Sequence, residues 1–192
     1  MRPSVSSVSL KKNGWKVHGR IGKIAGVAGA ALVLDQVSKF LIGKTMVLGS
    51  SIRVVGSFLR LTYIHNPNAA FGIGLGSSTV HMVFSIVAFG LIAYILYRTP
   101  PAQKGVQAAL ALILGGAIGN LIDRVRMGEV IDFIDVGIGK YRWPVFNVAD
   151  SVVTIGVFML VFFYILDRDV HPHAADHSGG DPETTGSPSD GA

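Results

Sequence analysis

Cysteine is absent from this 192-residue chain. No disulfide framework and no thiolate nucleophile is available to it, and it cannot carry a lipid on a cysteine of its own. Charge is scarce too. Asp, Glu, Lys and Arg make up 15% of the residues, against about 25% in a soluble domain. Neither GxSxG nor HExxH occurs, so serine-hydrolase and zincin chemistry lack their usual signatures. What is abundant is apolar sequence, 49% of the chain, with a mean hydropathy of +0.49. A single core of this size does not need so much of it, and lipid is the expected solvent.

The formal charge of +5 and the pI near 9.6 raise the question of nucleic acid. The basic residues form no single patch. Six precede residue 24 (Arg2, Lys11, Lys12, Lys16, Arg20, Lys23) and the others punctuate apolar segments. With no binding motif in the chain, the pattern reads as membrane topology and no nucleic-acid partner is expected.

Four apolar stretches lie at about 24–43, 79–97, 105–122 and 148–166. Each nears the roughly 20 residues needed to cross a hydrocarbon core. The first, with its basic prefix, also has the outline of a cleavable signal peptide. Three more stretches follow it, however, and Asp35 and Lys39 do not suit a plain apolar core. The expected fold is therefore an all-α membrane protein, a four-transmembrane-helix bundle over residues 21–168. Residues 1–20 read as a mobile basic tail, and residues 169–192 as a disordered tail too poor in apolar residues to order. The histidines of that second tail lack fixed ligand spacing, and no metal or other cofactor is expected. Residues 52–65 are rich in β-branched and aromatic side chains, and residues 129–147 mix apolar residues with Asp, Trp and Asn. Both suit a small β-rich cap.

Lys and Arg in the short flanks number nine on the side of the termini and seven on the other. That excess, with the first helix dominant, puts both termini in the cytoplasm and the cap outside. The third helix then ends near Asp123 and the fourth starts near Asp150, at one boundary, with Asp132 and Asp135 between them. Each acid has an ordinary reading. Asp35 and Lys39 stand at i and i+4 and can simply pair. Asp123 adjoins Arg124 at a helix end. Asp150 suits a helix N-terminus, with Asn147 as a cap. Two carboxyls close together in a poorly solvated site do more. Both cannot ionise readily, so one serves as acid while the other activates water. Composition and spacing do not choose between Asp132 and Asp123 for that role.

The strings DQVSK at 35–39, NPNAAFG at 66–72, GGAIGNLIDR at 115–124, GEVIDFID at 128–135 and FNVAD at 146–150 occur in this order across about residues 22–166. In this the chain resembles the lipoprotein (type II) signal peptidases. The resemblance implies an aspartic endopeptidase of the bacterial inner membrane. It would remove the signal peptide from a diacylglyceryl-modified prolipoprotein just before the lipidated cysteine, without a cofactor and as a monomer among membrane lipids. It implies Asp132 and Asp150 as the catalytic pair near the outer face. Asn66, Asn120, Asp123, Arg124 and Asn147 would support the pair or the substrate, and Asp35 with Lys39 would form a structural or substrate-near pair. Gly115 and Gly119 offer a small-residue face for close helix packing. Asn68 stands where the family usually has Gly. Two other classes stay open on the residues alone: a proton- or ion-coupled transporter using Asp35, Asp123 and Asp150 as a relay, and a non-catalytic scaffold.

Overall fold

The computed structural model describes residues 5–67 and 78–170. Helix α1 (Val5–Thr45) leads into strands β1 (Ser51–Val55) and β2 (Leu59–Asn66). Helices α2 (Ser78–Arg98) and α3 (Lys104–Met127) follow, then strands β3 (Val130–Ile138) and β4 (Tyr141–Arg142), and helix α4 (Val148–Val170). Among the described residues, three segments are long and apolar enough to cross a membrane: Gly19–Thr45, Lys104–Met127 and Val148–Leu166. The apolar part of α2, Met82–Arg98, is shorter than that standard.

The stretch read as a mobile tail, residues 1–20, is helical from Val5 onward. Once the apolar part of α1 has nucleated a helix, each further residue adds one hydrogen bond, and the lysines there are good helix formers. Arg20 also gives this part of α1 a tertiary tie. Its Nη2 donates to Leu96 O at 3.0 Å and Thr99 O at 2.7 Å. These carbonyls lie at and just past the C-terminal end of α2, where the i+4 helical bond is missing; Leu96 O otherwise takes only the longer bond from Thr99 N at 3.3 Å among the backbone bonds. The expected tail at 169–192 and the Asn68 position lie almost wholly or wholly outside the described residues, α4 ending at Val170.

Helix α3 is the centre of the bundle, packing against α1, α2 and α4. Its small residues allow this. A Cβ at Gly115 would overlap Ala28 O and Ala31 on α1, and one at Gly116 would overlap Ala149 O and Val152 on α4. Glycine lets the three backbones approach where any side chain would hold them apart. Gly115 was expected in this role. Gly116, the next position around the helix, does the same toward α4.

The strands form one antiparallel sheet in the order β1-β2-β3-β4. Its register pairs Arg60 with Asp135, Ile64 with Asp132 and Asn66 with Val130 across β2 and β3. Helix α3 stops at Gly128, whose left-handed backbone (φ 78°) lets its N–H donate to Arg124 O. This turn delivers the chain into β3 within two residues. A cluster of Ile42, Met46 and Phe133, packed with Leu61, Tyr63 and Val148, seats the sheet on the ends of α1 and α4. The expected cap is present, and Asp132 lies at the junction of sheet and helices.

The helices are inside out relative to a soluble bundle. Phe40, Phe158 and Phe162 are exposed, whereas Asp35, Lys39, Asp123, Asp132 and Asn147 are buried. An apolar exterior this extensive marks a surface made for a non-aqueous neighbour.

Candidate active site

Asn147 begins the site. It is the residue before α4, and its side chain and that of Asp150 cap each other. Asp150 N donates to Asn147 Oδ1 at 2.9 Å, and Asn147 N donates to Asp150 Oδ2 at 3.2 Å. This is a reciprocal box across three residues, which satisfies two N–H groups the helix cannot. It also fixes the Asp150 rotamer. Asn147 Nδ2 then reaches across to β3 and donates to Asp132 Oδ1 at 2.7 Å. One asparagine thus touches both acids.

The remaining carboxylate oxygens are also occupied. Asp132 Oδ2 accepts from Asn66 Nδ2 at 2.8 Å, at the end of β2. Asp150 Oδ1 accepts from Asn120 Nδ2 at 2.8 Å, on α3. Four elements therefore meet on two carboxyl groups. Asp132 is 2% exposed. Burial pushes its carboxyl up from 3.8 to about 6, and the Asp150 charge adds to the rise. The bonds from Asn66 and Asn147 and the charge of Lys39 act the other way without cancelling it.

The second polar cluster lies behind the first. Lys39 Nζ is 2.8 Å from Asp35 Oδ2 and 2.7 Å from Asp123 Oδ2. Asp35 with Lys39 was expected as an i,i+4 pair and is one. Asp123 adjoins Arg124 in sequence, but its ion pair is with Lys39. Adjacent residues on a helix point about 100° apart, so Asp123 faces α1 while Arg124 does not. Arg124 Nη1 donates to Asn120 O at 3.4 Å, and its charge lies within reach of Asp132, Asp150 and Asp123. Sequence reading missed Gln36. Its Nε2 lies 3.1 Å from both Asp35 Oδ2 and Asp123 Oδ1, bridging the two acids beside Lys39. Its place inside DQVSK, one residue from an acid, is the signal that was available.

Asp135, the other Asp between α3 and α4, stands apart from the pair. Its carboxylate accepts from Arg142 Nε at 2.8 Å and from Thr62 Oγ1 at 2.8 Å, tying β2, β3 and β4 together. Among the described residues, no group of three or more His, Cys, Asp or Glu is arranged to hold a metal ion.

Asp132 and Asp150 open onto a cavity of about 680 Å³. Asn66 lines it beside them; its other walls are largely apolar, with Val136, Trp143, Phe146, Ile155 and Phe158. A cavity of that size, with a few converging polar groups on apolar walls, is the usual form of a ligand site.

Apolar-skinned helices, a capping sheet and two linked acids at the foot of an apolar cavity define a helical membrane protein with an acidic site. The comparisons narrow the class. Residues 27–166 match the family model Peptidase A8, signal peptidase (SPase) II. The lipoprotein signal peptidase of Syntrophus aciditrophicus is 45% identical over 139 residues, covering 70% of this chain and 86% of that protein. That of Geobacter sulfurreducens is 48% identical over 134 residues, covering 68% and 83%. The chain is also similar to a solved bacterial membrane enzyme, with a TM-score of 0.72 and 36% identity over 81% of this chain and 94% of that one. The chain belongs to the signal peptidase II family, and is a bacterial membrane protease.

Proposed function

We propose that this chain is an aspartic endopeptidase that cuts diacylglyceryl-modified prolipoproteins just before the lipidated cysteine, with Asp132 and Asp150 as its catalytic pair. The observation that carries the reading is the joining of two acids by Asn147 at the foot of an apolar cavity. The relatives named lipoprotein signal peptidase support the substrate class.

The chemistry needs only the two carboxyls. The ionised one takes a proton from water while the water oxygen attacks the scissile carbonyl carbon. The protonated one gives its proton to the leaving amide nitrogen as the C–N bond breaks. The products are a free carboxylate on the signal peptide and a free amine on the lipidated cysteine. A carboxyl at about 6, as for Asp132, keeps a proton at pH values where an ordinary Asp has lost it. The pair titrates together, and its macroscopic values belong to both acids.

The apolar cavity suits the acyl chains and the apolar signal helix of such a substrate. Val136, Ile155 and Phe158 give that surface little else to bind. Asn66, Asn120 and Asn147 hold the acids, and Arg124 adds positive charge near them. We take α2 as a fourth span, with both termini in the cytoplasm, so the pair and the sheet lie at the outer boundary of the inner membrane. The Lys and Arg distribution supports that orientation.

The test is cleavage of a diacylglyceryl-modified prolipoprotein by membranes holding the wild type, Asp132→Asn or Asp150→Asn, with the unlipidated substrate as control. Lipid-dependent cleavage by the wild type, reduced roughly 10³-fold or more in each variant, is the expected result. A normally expressed, folded wild type that leaves the substrate intact overturns the reading. Cleavage that survives Asp132→Asn and fails in Asp123→Asn moves the pair.

A further inference from the structure

Each acid of the pair follows a backbone N–H that is held by another, buried carboxylate. Ala149 N donates to Asp35 Oδ1 at 2.9 Å, and Asp150 is the next residue. Ile131 N donates to Asp123 Oδ2 at 3.4 Å, and Asp132 is the next residue. The two holding carboxylates come from different helices, α1 and α3, and they share one cation.

That cation is Lys39, itself 2% exposed. An ammonium has three donors and no acceptor. Here the three directions are taken by Asp35 Oδ2, Asp123 Oδ2 and, at 2.9 Å, Asn120 Oδ1. The last contact decides how the Asn120 amide is turned. With its oxygen facing Lys39 and Asn147 Nδ2, its nitrogen faces Asp150 Oδ1.

A helix-stabilising ion pair would need one carboxylate and no link to the site. This lysine instead stands one bond from three groups, each of which fixes the backbone or the carboxyl of a reacting acid. We propose that Lys39 is a positioning residue for the cleavage reaction: through Asp35 and Asp123 it holds Ala149 and Ile131, and through Asn120 it orients Asp150, so that α1 and α3 set the spacing of the Asp132–Asp150 pair. The proposal rests on the reading of that pair as catalytic. It assigns the polar interior of α1 a part in the reaction.

Removing the lysine leaves Asp35 and Asp123 facing each other across Gln36, and their repulsion draws on the two N–H contacts. The charged groups that face Lys39 or the pair are Asp35 on α1, Asp123 and Arg124 on α3, Asp150 on α4 and Asp132 on β3. The Lys39 charge also favours the ionised form of Asp132. Its loss therefore lets Asp132 keep its proton to higher pH.

The experiment compares purified wild type, Lys39→Met and the double variant Lys39→Met/Asp123→Asn in micelles, using the lipidated substrate and a pH series. The double variant removes one of the two unpaired buried charges and so guards against a failure to fold. Misplacing a reacting group by about 1 Å costs on the order of 100-fold. The folded variants are expected to lose that much in kcat, with KM changed by less than about threefold. The alkaline limb of their pH profile is expected at higher pH than in the wild type. Folded variants with wild-type kcat and an unmoved limb overturn the proposal, as does a loss confined to thermal stability. Wild type that cuts and loses activity in Asp150→Asn, beside fully active Lys39 variants, overturns this role alone. Wild type that fails to cut overturns the functional reading, and this role with it.

Discussion

Lys39 and Phe40 are neighbours in the chain and opposites in the fold. Lys39 is buried against two carboxylates and an amide, while Phe40 is 62% exposed. The same division runs through the molecule. The interior at the sheet end of the bundle is a knot of Asp, Asn, Gln and Lys, and the exterior of α1 and α4 is Val, Leu, Ile and Phe. In water the two regions would exchange places, since an unpaired buried charge costs several kcal/mol and exposed apolar area gains nothing. With lipid outside, the apolar skin is already in its preferred solvent. Polar groups then persist inside only where each has a partner, and here the carboxylate oxygens of Asp35, Asp123, Asp132 and Asp150 accept bonds from named donors. The difference teaches that the interior is specified by its hydrogen bonds and the exterior by composition alone. Substitutions in the two regions should therefore differ in size and in what they change.

The largest effect short of removing an acid is expected at Asn147, which serves both. Asn147→Ala deletes the bond to Asp132, the bond to Asn120 and half of the capping box of α4. Loss of such a cap costs about 1 kcal/mol, which lowers the melting temperature without unfolding the protein. The catalytic cost is larger. With Asp132 left to the Asn66 bond and Asp150 without the side-chain half of its cap, the spacing of the two carboxyls loosens and kcat is expected to fall on the order of 100-fold. Steady-state kinetics beside a thermal melt separates the two. A variant that melts early and cuts at the wild-type rate would make the interior knot structural filler.

Next is an effect on pH dependence more than on rate. In kcat/KM, which reports the free enzyme, activity is expected to decline from about pH 6 upward as the pair gives up the proton that burial of Asp132 lets it keep. The Asn66 amide bonds to Asp132 and favours the ionised form. Asn66→Ala removes that preference, so the protonated form survives to higher pH and the alkaline limb moves up. A limb that moves down, or stays, would mean that Asn66 acts on substrate and leaves the acid unaffected.

Why some of this could be read from sequence follows from the same division. The exterior is legible because it depends on composition: apolar runs near 24–43, 105–122 and 148–166 lie within helices long enough to span. The β-branched and aromatic stretch at 52–65 forms β1 and β2 for a local reason too. Asn147 and Asp150, three apart, announce a cap, and the cap is there. The interior is legible only where its partners are close in sequence or its strings resemble a family. That Asp123 answers to Lys39, far away in sequence on α1, rather than to its neighbour Arg124 is a matter of which helix faces meet, and that depends on the glycines of α3. Gln36 was overlooked for the same reason, since both acids it bridges are identified only after α1 and α3 are packed. The helical residues after Val5 went unread because their composition is polar, while helix extension depends on what precedes and follows them.

The smallest effects belong to the skin, and α1 permits the comparison two residues apart. Ala31 is 3% exposed and lies where a Cβ on Gly115 would touch it, whereas Val33 is 59% exposed in the middle of its span. Ala31→Leu forces extra volume between α1 and α3 and is expected to cost about 1–3 kcal/mol. It also pushes α1 away from the partners of Lys39, so activity falls with stability. Val33→Ala removes two methyl groups from a surface whose solvent is already apolar. Its expected cost is less than about 0.5 kcal/mol, as for substitutions away from packed or bonded sites, with kcat unchanged. Melting curves and initial rates in the same bilayer mimetic decide the matter. If Val33→Ala destabilised the protein as much as Ala31→Leu, the face carrying Val33 would be packed against protein, and the contrast between a bonded interior and a lipid-facing skin would fail on α1.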